Sequence, residues 1–162
     1  MSSVDELHDH FDPHVPGVSY GVLDSLIGYA LRRAQLRLYE DFVESLAPWN
    51  ITPPRFSALV IIDHNPDLKL TDLARILGVA RSGAVTLIDA LSAQGYVSRQ
   101  ASRSDRRAFR LVLTAKGKRA LSEITQAVQQ HDRRIVSMLS AEEQQRLMEL
   151  LRRMAGLQGG AT

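Results

Sequence analysis

Residues 70–114, LTDLARILGVARSGAVTLIDALSAQGYVSRQASRSDRRAFRLVLT, change periodicity halfway along and so decide the fold. The first half is helical. Leu73, Ala74, Ile76 and Leu77 give the apolar side of a short helix over Thr71 to Leu77. Thr71 stands where a threonine oxygen accepts from the orphan amides of a first turn. Gly78 supplies the left-handed residue that ends such a helix. A second helix spans Ala80 to Gln94, with Val85, Ile88 and Leu91 recurring every third residue beside Ala84 and Leu87. Gly95 stops it. The two helices are joined tightly, and the second carries Arg81, Ser82, Thr86 and Asp89 off its apolar side. That is a helix-turn-helix pattern.

The second half is extended. Tyr96 to Gln100 and Ala108 to Leu113 read as strands around a polar loop holding Arg103, Arg106 and Arg107. A basic hairpin beside a helix-turn-helix is a wing. Arginine suits its tip because the guanidinium stays charged, forks onto phosphate oxygens and fits a narrow minor groove.

The run Ser104-Asp105-Arg106-Arg107-Ala108 to Leu113-Thr114, preceded by Leu91 to Gly95 and Tyr96-Val97, resembles the winged helix-turn-helix of the MarR (multiple antibiotic resistance regulator) family. That family's wing signature is an Asp, any residue, an Arg, then a Leu-Thr that closes the second strand. Asp105, Arg107, Leu113 and Thr114 match it, and the likeness extends from about Tyr20 to Gly156. Many members carry an arginine in the middle of the recognition helix, where this chain has Thr86. The resemblance implies a two-fold dimer with two winged lobes hung below a helical dimerisation domain. It also implies that Asp105 and Arg107 brace the wing from within, so that one of the arginines is structural.

Composition agrees with a DNA partner. Residues 1–68 hold four arginines against ten carboxylates, residues 69–119 eleven cations against three, and residues 120–162 five of each. Positive charge is thus gathered in the winged segment, as expected where a polyanion docks. There is no cysteine, which excludes disulfides, thiolate metal sites and thiol redox sensing. No apolar run approaches membrane-spanning length, and the acidic N-terminus lacks the pattern of a secretory signal, so a cytoplasmic protein is expected. His8, His10 and His14 lie in a polar arm with no helical i, i+4 pair. They read as a solvated tail, and no metal or cofactor is expected.

The flanks are helical. A long helix is expected over Ser19 to Leu46, one over the Thr52-Pro53-Pro54 start that buries Phe56, Leu59 and Val60, and one over Ala115 to Leu139 capped by Thr114. A last helix follows a Ser140–Glu143 capping box and shows Leu147, Leu150, Leu151 and Met154 on one side. The first and last helices hold more apolar surface than a small winged domain can cover, which points to a homodimer. The expected class is a mainly α fold with a small two-stranded antiparallel wing. Residues 1–17 form a flexible arm, 18–50 and 115–156 a helical dimerisation region, 51–114 the DNA-binding lobe, and 157–162 a tail.

The expectation is a dimeric transcriptional regulator, a repressor, that reads near-palindromic double-stranded operator DNA. Arg81, Ser82, Gly83 and Thr86 would meet the major groove, and Arg103, Asp105, Arg106 and Arg107 would serve the wing. From the resemblance, a small aromatic acid, phenol or aromatic acyl-CoA would release the DNA. Tyr39, Trp49 and Phe56 would stack on its ring unless they are plain core, and Arg33 or Arg37 would hold its carboxylate or phosphates. The alternative is an architectural or partner-binding winged helix that needs no effector. No nucleophile elbow, phosphate-cradling glycine loop or paired-carboxylate arrangement is present, so no enzyme is expected.

Overall fold

The computed structural model describes residues 11–102 and 109–157. The wing residues Arg103, Asp105, Arg106 and Arg107, the arm residues His8 and His10, and the terminal Gly159 to Thr162 lie outside the described residues. The described chain runs α1 (Ile27–Ser45), α2 (Pro53–His64), α3 (Leu70–Leu77), α4 (Arg81–Ala93), β1 (Val97–Ala101), β2 (Phe109–Leu113), α5 (Ala115–Ile135) and α6 (Ala141–Met154). Short 3-10 turns at Gly21–Ser25 and Ala47–Trp49 flank α1. This is the expected mainly helical winged fold with its two-stranded antiparallel sheet.

The helix-turn-helix is α3 and α4. Gly78 ends α3 at φ +65°, and the two axes meet at 107°. The expected boundary of α3 needs one correction. The helix begins at Leu70 with Lys69 before it, so Thr71 lies inside the first turn and caps nothing. The cause is the sheet. Leu111 of β2 donates its amide to the Leu68 carbonyl at 2.9 Å, which holds residue 68 against the wing. Lys69 is still extended at ψ 155°, and the helix starts directly after it. Ile76 is a second correction: it is 55% exposed, while Leu73 and Ala74 are buried. Each residue advances about 100° round a helix, so Ile76 points nearly opposite to Ala74.

Thr52 does precede α2, but its side chain makes no capping bond. A cap oxygen reaches the amides of the second or third helical residue, and the second here is Pro54, which has none. The continuous first helix is also corrected. The chain forms a 3-10 turn, becomes extended at Leu26 (ψ 119°), and only then enters α1. α5 stops four residues short of the expected Leu139. Gln144 of α6 donates to the Val136 and Leu139 carbonyls, satisfying main-chain acceptors beyond the helix end. At Ser140 the capping box forms as read, with both reciprocal bonds present.

Leu46, Leu59, Leu73, Ile88, Leu91, Leu111 and Ile124 are the largest fully buried side chains. They join the end of α1 to α2, α3, α4, β2 and α5 in one core. Burying each contributes roughly 1.5–3 kcal/mol. At the junction of wing and α5, Thr114 is tied through its hydroxyl and its amide. Its hydroxyl donates to the Gly95 carbonyl at 2.6 Å and accepts from the Gly117 amide at 2.9 Å, while its own amide donates to the Tyr96 carbonyl. The approach is so close that a Cβ on Gly117 would lie 2.1 Å from the Tyr96 oxygen.

α1 and α5 are joined by an ionic cluster. Asp41 accepts from Arg134 Nη2 at 2.7 Å and lies 2.5 Å from Nδ1 of the buried His131, whose ring meets Phe42 edge-on. Arg134 also donates to the Ser45 hydroxyl at 2.6 Å. The Arg134 hydrogen bonds hold the Asp41 carboxyl below its ordinary value; burial opposes this, and His131 adds to it.

Candidate nucleic-acid interface and effector groove

α4 presents two unlike faces. Ala84, Ile88 and Leu91 are buried, whereas Arg81, Ser82, Gly83 and Thr86 are all exposed at its N-terminal end. All four predicted groove residues therefore stand together on one accessible helix end. The positive end of the helix dipole favours phosphate there, and Arg81 adds a full charge. A Cβ on Gly83 would meet only Val79 Cβ, at an ordinary 3.8 Å, so packing within the chain does not demand glycine there. Thr86 donates to the Ser82 carbonyl of its own helix at 3.1 Å. One turn further along the same exposed face of α4, Asp89 accepts from Arg99 of β1 at 2.6 Å and ties the recognition helix to the wing.

The base of the wing is fixed by polar contacts that the sequence reading did not identify. Arg110 donates to the Pro66 carbonyl at 2.9 Å and to Gln100 Oε1 at 3.1 Å. The buried Ser102 hydroxyl donates to Asp67 Oδ1 at 3.1 Å. Both anchor the hairpin to the α2–α3 turn. Asn65-Pro66-Asp67 is recognisable as a turn from sequence, but its partners are more than thirty residues away and leave no local signal.

The five predicted ligand residues separate. Phe56 lines a groove of about 980 Å³ between α2 and α5; Arg33, Arg37, Tyr39 and Trp49 do not. The Arg33 guanidinium lies 4.7 Å from the Tyr20 ring and 5.2 Å from the Tyr29 ring, with Phe11 at 6.0 Å, and donates to the Tyr29 hydroxyl. The Phe11 amide also donates to Glu40 Oε1, so Phe11 of the expected arm (residues 1–17) and Tyr20 just beyond it both lie against α1. Arg37 and Tyr39 are exposed on α1. Trp49 donates to Glu123 of α5 at 3.3 Å and accepts at its carbonyl from Gln94 of α4 at 2.9 Å. It bridges α4 and α5 rather than facing the groove.

Phe56, Val60, Leu121 and Val128 supply the groove's apolar floor, and Lys118 and Arg133 supply cations on α5. Asp63, His64 and Asp132 complete its polar rim. Lys118, Leu121, Thr125, Val128 and Asp132 follow one another at three- and four-residue spacing, so this face carries a helical signal. The buried stripe of α5 next to it is stronger and masked that signal in the sequence.

These features recur in known proteins. The sequence profile of the MarR family matches residues 49–108. A putative transcriptional regulatory protein for the hcr operon of Thauera aromatica is 32% identical over 136 residues, which cover 83% of this chain and 82% of that protein. The transcriptional repressor CouR bound to a 23-mer DNA duplex is 39% identical with a TM-score of 0.80, covering 85% of this chain and 98% of that one. CouR bound to p-coumaroyl-CoA is 36% identical with a TM-score of 0.79, covering 85% and 97%. The Rv2887 protein of Mycobacterium tuberculosis in complex with p-aminosalicylic acid is 28% identical with a TM-score of 0.65, covering 80% and 98%. With a helix-turn-helix, a braced wing and this extent of likeness, the chain belongs to the MarR family of transcriptional regulators.

Proposed function

We propose that the protein is a dimeric transcriptional repressor that binds a near-palindromic operator and leaves it when an aromatic acid or aromatic acyl-CoA fills the α2–α5 groove. The observation that carries the DNA-binding half is the accessible end of α4, with Arg81, Ser82, Gly83 and Thr86 together and the wing fixed beside it. Positive charge gathered in residues 69–119 agrees with it. Arg103, Arg106 and Arg107 would hold phosphates or enter the adjacent minor groove. The protein would work in the cytoplasm, with the DNA.

Dimerisation rests on α6. None of its residues is buried, and Leu147, Met148, Leu150, Leu151 and Met154 are all exposed. A helix with an apolar stripe and nothing beneath it is covered by another chain. The regions 18–50 and 115–156 would form the dimer stem and 51–114 the DNA-binding lobe. Two lobes related by a two-fold axis would read half-sites about 34 Å apart.

The groove gives the effector its class. An aromatic ring fits the floor of Phe56, Val60, Leu121 and Val128, and an anion fits Lys118 or Arg133. Those cations lie fifteen positions apart on α5, about 22 Å, which is long enough for an extended thioester rather than a bare salicylate. Arg33, already enclosed by three rings, is the weaker anion partner. Occupation of the groove would release DNA only if the ligand prefers the lobe spacing that cannot grip the duplex. The test is a titration of operator complex with aromatic acids and their CoA thioesters. Release by a thioester at lower concentration than by its free acid is expected. If no such compound releases DNA or raises the melting temperature of the free protein, the effector-gated reading fails, and the effector-independent winged helix replaces it.

A further inference from the structure

We propose that Phe109 is a DNA-contacting residue of the wing, an apolar wedge that lies against the sugar edge of the minor groove beside the recognition helix. This rests on the DNA-binding reading above. The ring is 65% exposed. Successive strand residues alternate between faces, so Phe109, Leu111 and Leu113 share one face of β2. Across the ladder stand Ala101, Arg99 and Val97, in register with them. Val97, Leu111 and Leu113 are buried in the lobe, and Arg99 reaches Asp89 of α4. This face of the hairpin is therefore turned toward the recognition helix.

Phe109 is the position on that face that has passed beyond the core. Its cross-strand partner Ala101 is exposed and too short to cover a ring. Among the described residues no aromatic or cationic group stacks on it; the ring contacts involve other residues. Leaving a phenylalanine in water forfeits the burial that its neighbours Leu111 and Leu113 obtain. Apart from Ile76 and Val79 at the helix-turn-helix, the other large exposed apolar side chains among the described residues lie on residues 15–39 and 138–157, where a second copy of the chain would cover them. Phe109 stands apart from that surface, in the cation-rich lobe, and a duplex held by α4 and the wing is the occupant that reaches it. Apolar side chains laid against or between base steps are a recurrent means of minor-groove binding. Such a contact neutralises no phosphate. Its contribution therefore appears in the overall affinity and leaves the salt dependence of binding unchanged.

The test uses the full chain and a duplex of about 30 base pairs selected by the wild-type protein from a random library. Phe109→Ala should bind about tenfold more weakly, given the apolar area at stake, at both about 50 and about 200 mM salt, with an unchanged slope. Its melting temperature should match the wild type. Phe109→Lys should recover binding at the lower salt only, with a steeper slope. Binding by Phe109→Ala within about twofold of wild type at both salts would overturn the proposal. So would a loss that appears only as a flatter slope, or one that follows a lower melting temperature. If the wild-type protein selects no duplex, the DNA-binding reading fails as well, which separates the two failures.

Discussion

The winged lobe and the terminal helices both carry stripes of leucine, valine and isoleucine, yet they use them in opposite ways. In the lobe, the apolar faces of α2, α3, α4 and β2 meet one another and the middle of α5, and their largest side chains are fully buried. In α6 no residue is buried, and around the start of α1 Val22 and Ile27 are 70% and 71% exposed. The lobe carries its own partners within the chain. The ends do not. In the function proposed above, the lobe is the rigid reading head and the ends are a stem whose geometry a second chain and a ligand would set.

The sharpest way to break the comparison is at the lobe's tightest point. Gly117→Ala places a Cβ against the Tyr96 carbonyl, a backbone atom that cannot swing aside. We expect a loss of about 3 kcal/mol or more in urea unfolding. A near-neutral effect would mean that the α5–wing junction is looser than it looks. At the other end, Leu150→Glu should leave the far-ultraviolet helical signal of the chain nearly intact while weakening the proposed dimer by at least about 2 kcal/mol, roughly thirtyfold, in sedimentation velocity. If that variant unfolds the chain and leaves its association unchanged, α6 packs within its own chain.

Thr114→Val removes both hydroxyl bonds at the junction of wing and α5 but keeps the volume, and should cost about 1–2 kcal/mol of unfolding free energy. Asp41→Asn probes the α1–α5 joint through pH. The Asp41 carboxyl is lowered below 3.8 in the folded chain. Its contribution is therefore present above that value and is lost as pH falls through the folded value. Wild type should exceed Asp41→Asn in urea midpoint at neutral pH, and the gap should narrow on acidification past the ordinary carboxylate range and close only below the lowered folded value. A gap that persists in acid would assign the joint to shape rather than charge. The smallest effect is expected at Ile76→Ser, within about 0.5 kcal/mol, because that side chain is already in water.

Much of this was legible in the sequence because its signals are local. The α4 stripe, the glycine that ends α3, the Ser140 box and the turn from helical to extended period each lie within a few residues, and each formed close to where it was read. The resemblance carried by Asp105, Arg107, Leu113 and Thr114 named the family. Errors came where a distant partner decides. Thr71 lost its capping role because a bond from Leu111 to Leu68 sets where α3 starts. The wing braces Arg110 and Ser102 depend on a turn far away in sequence. Of the five residues proposed for the ligand, only Phe56 lines the groove between α2 and α5. Arg33 and Trp49 were chosen for their chemistry, and their chemistry is satisfied elsewhere in the fold.

The proposed function requires two copies of the lobe to grip one duplex through a stem formed by the terminal helices. Sedimentation of the full chain with a duplex it has itself selected tests this most directly. The prediction is a complex of two chains per duplex, formed from a dimer already present without DNA, with both strands protected over two segments about 34 Å apart. A chain that stays monomeric and loads one copy at a time, or ignores duplex DNA at low ionic strength, would contradict it.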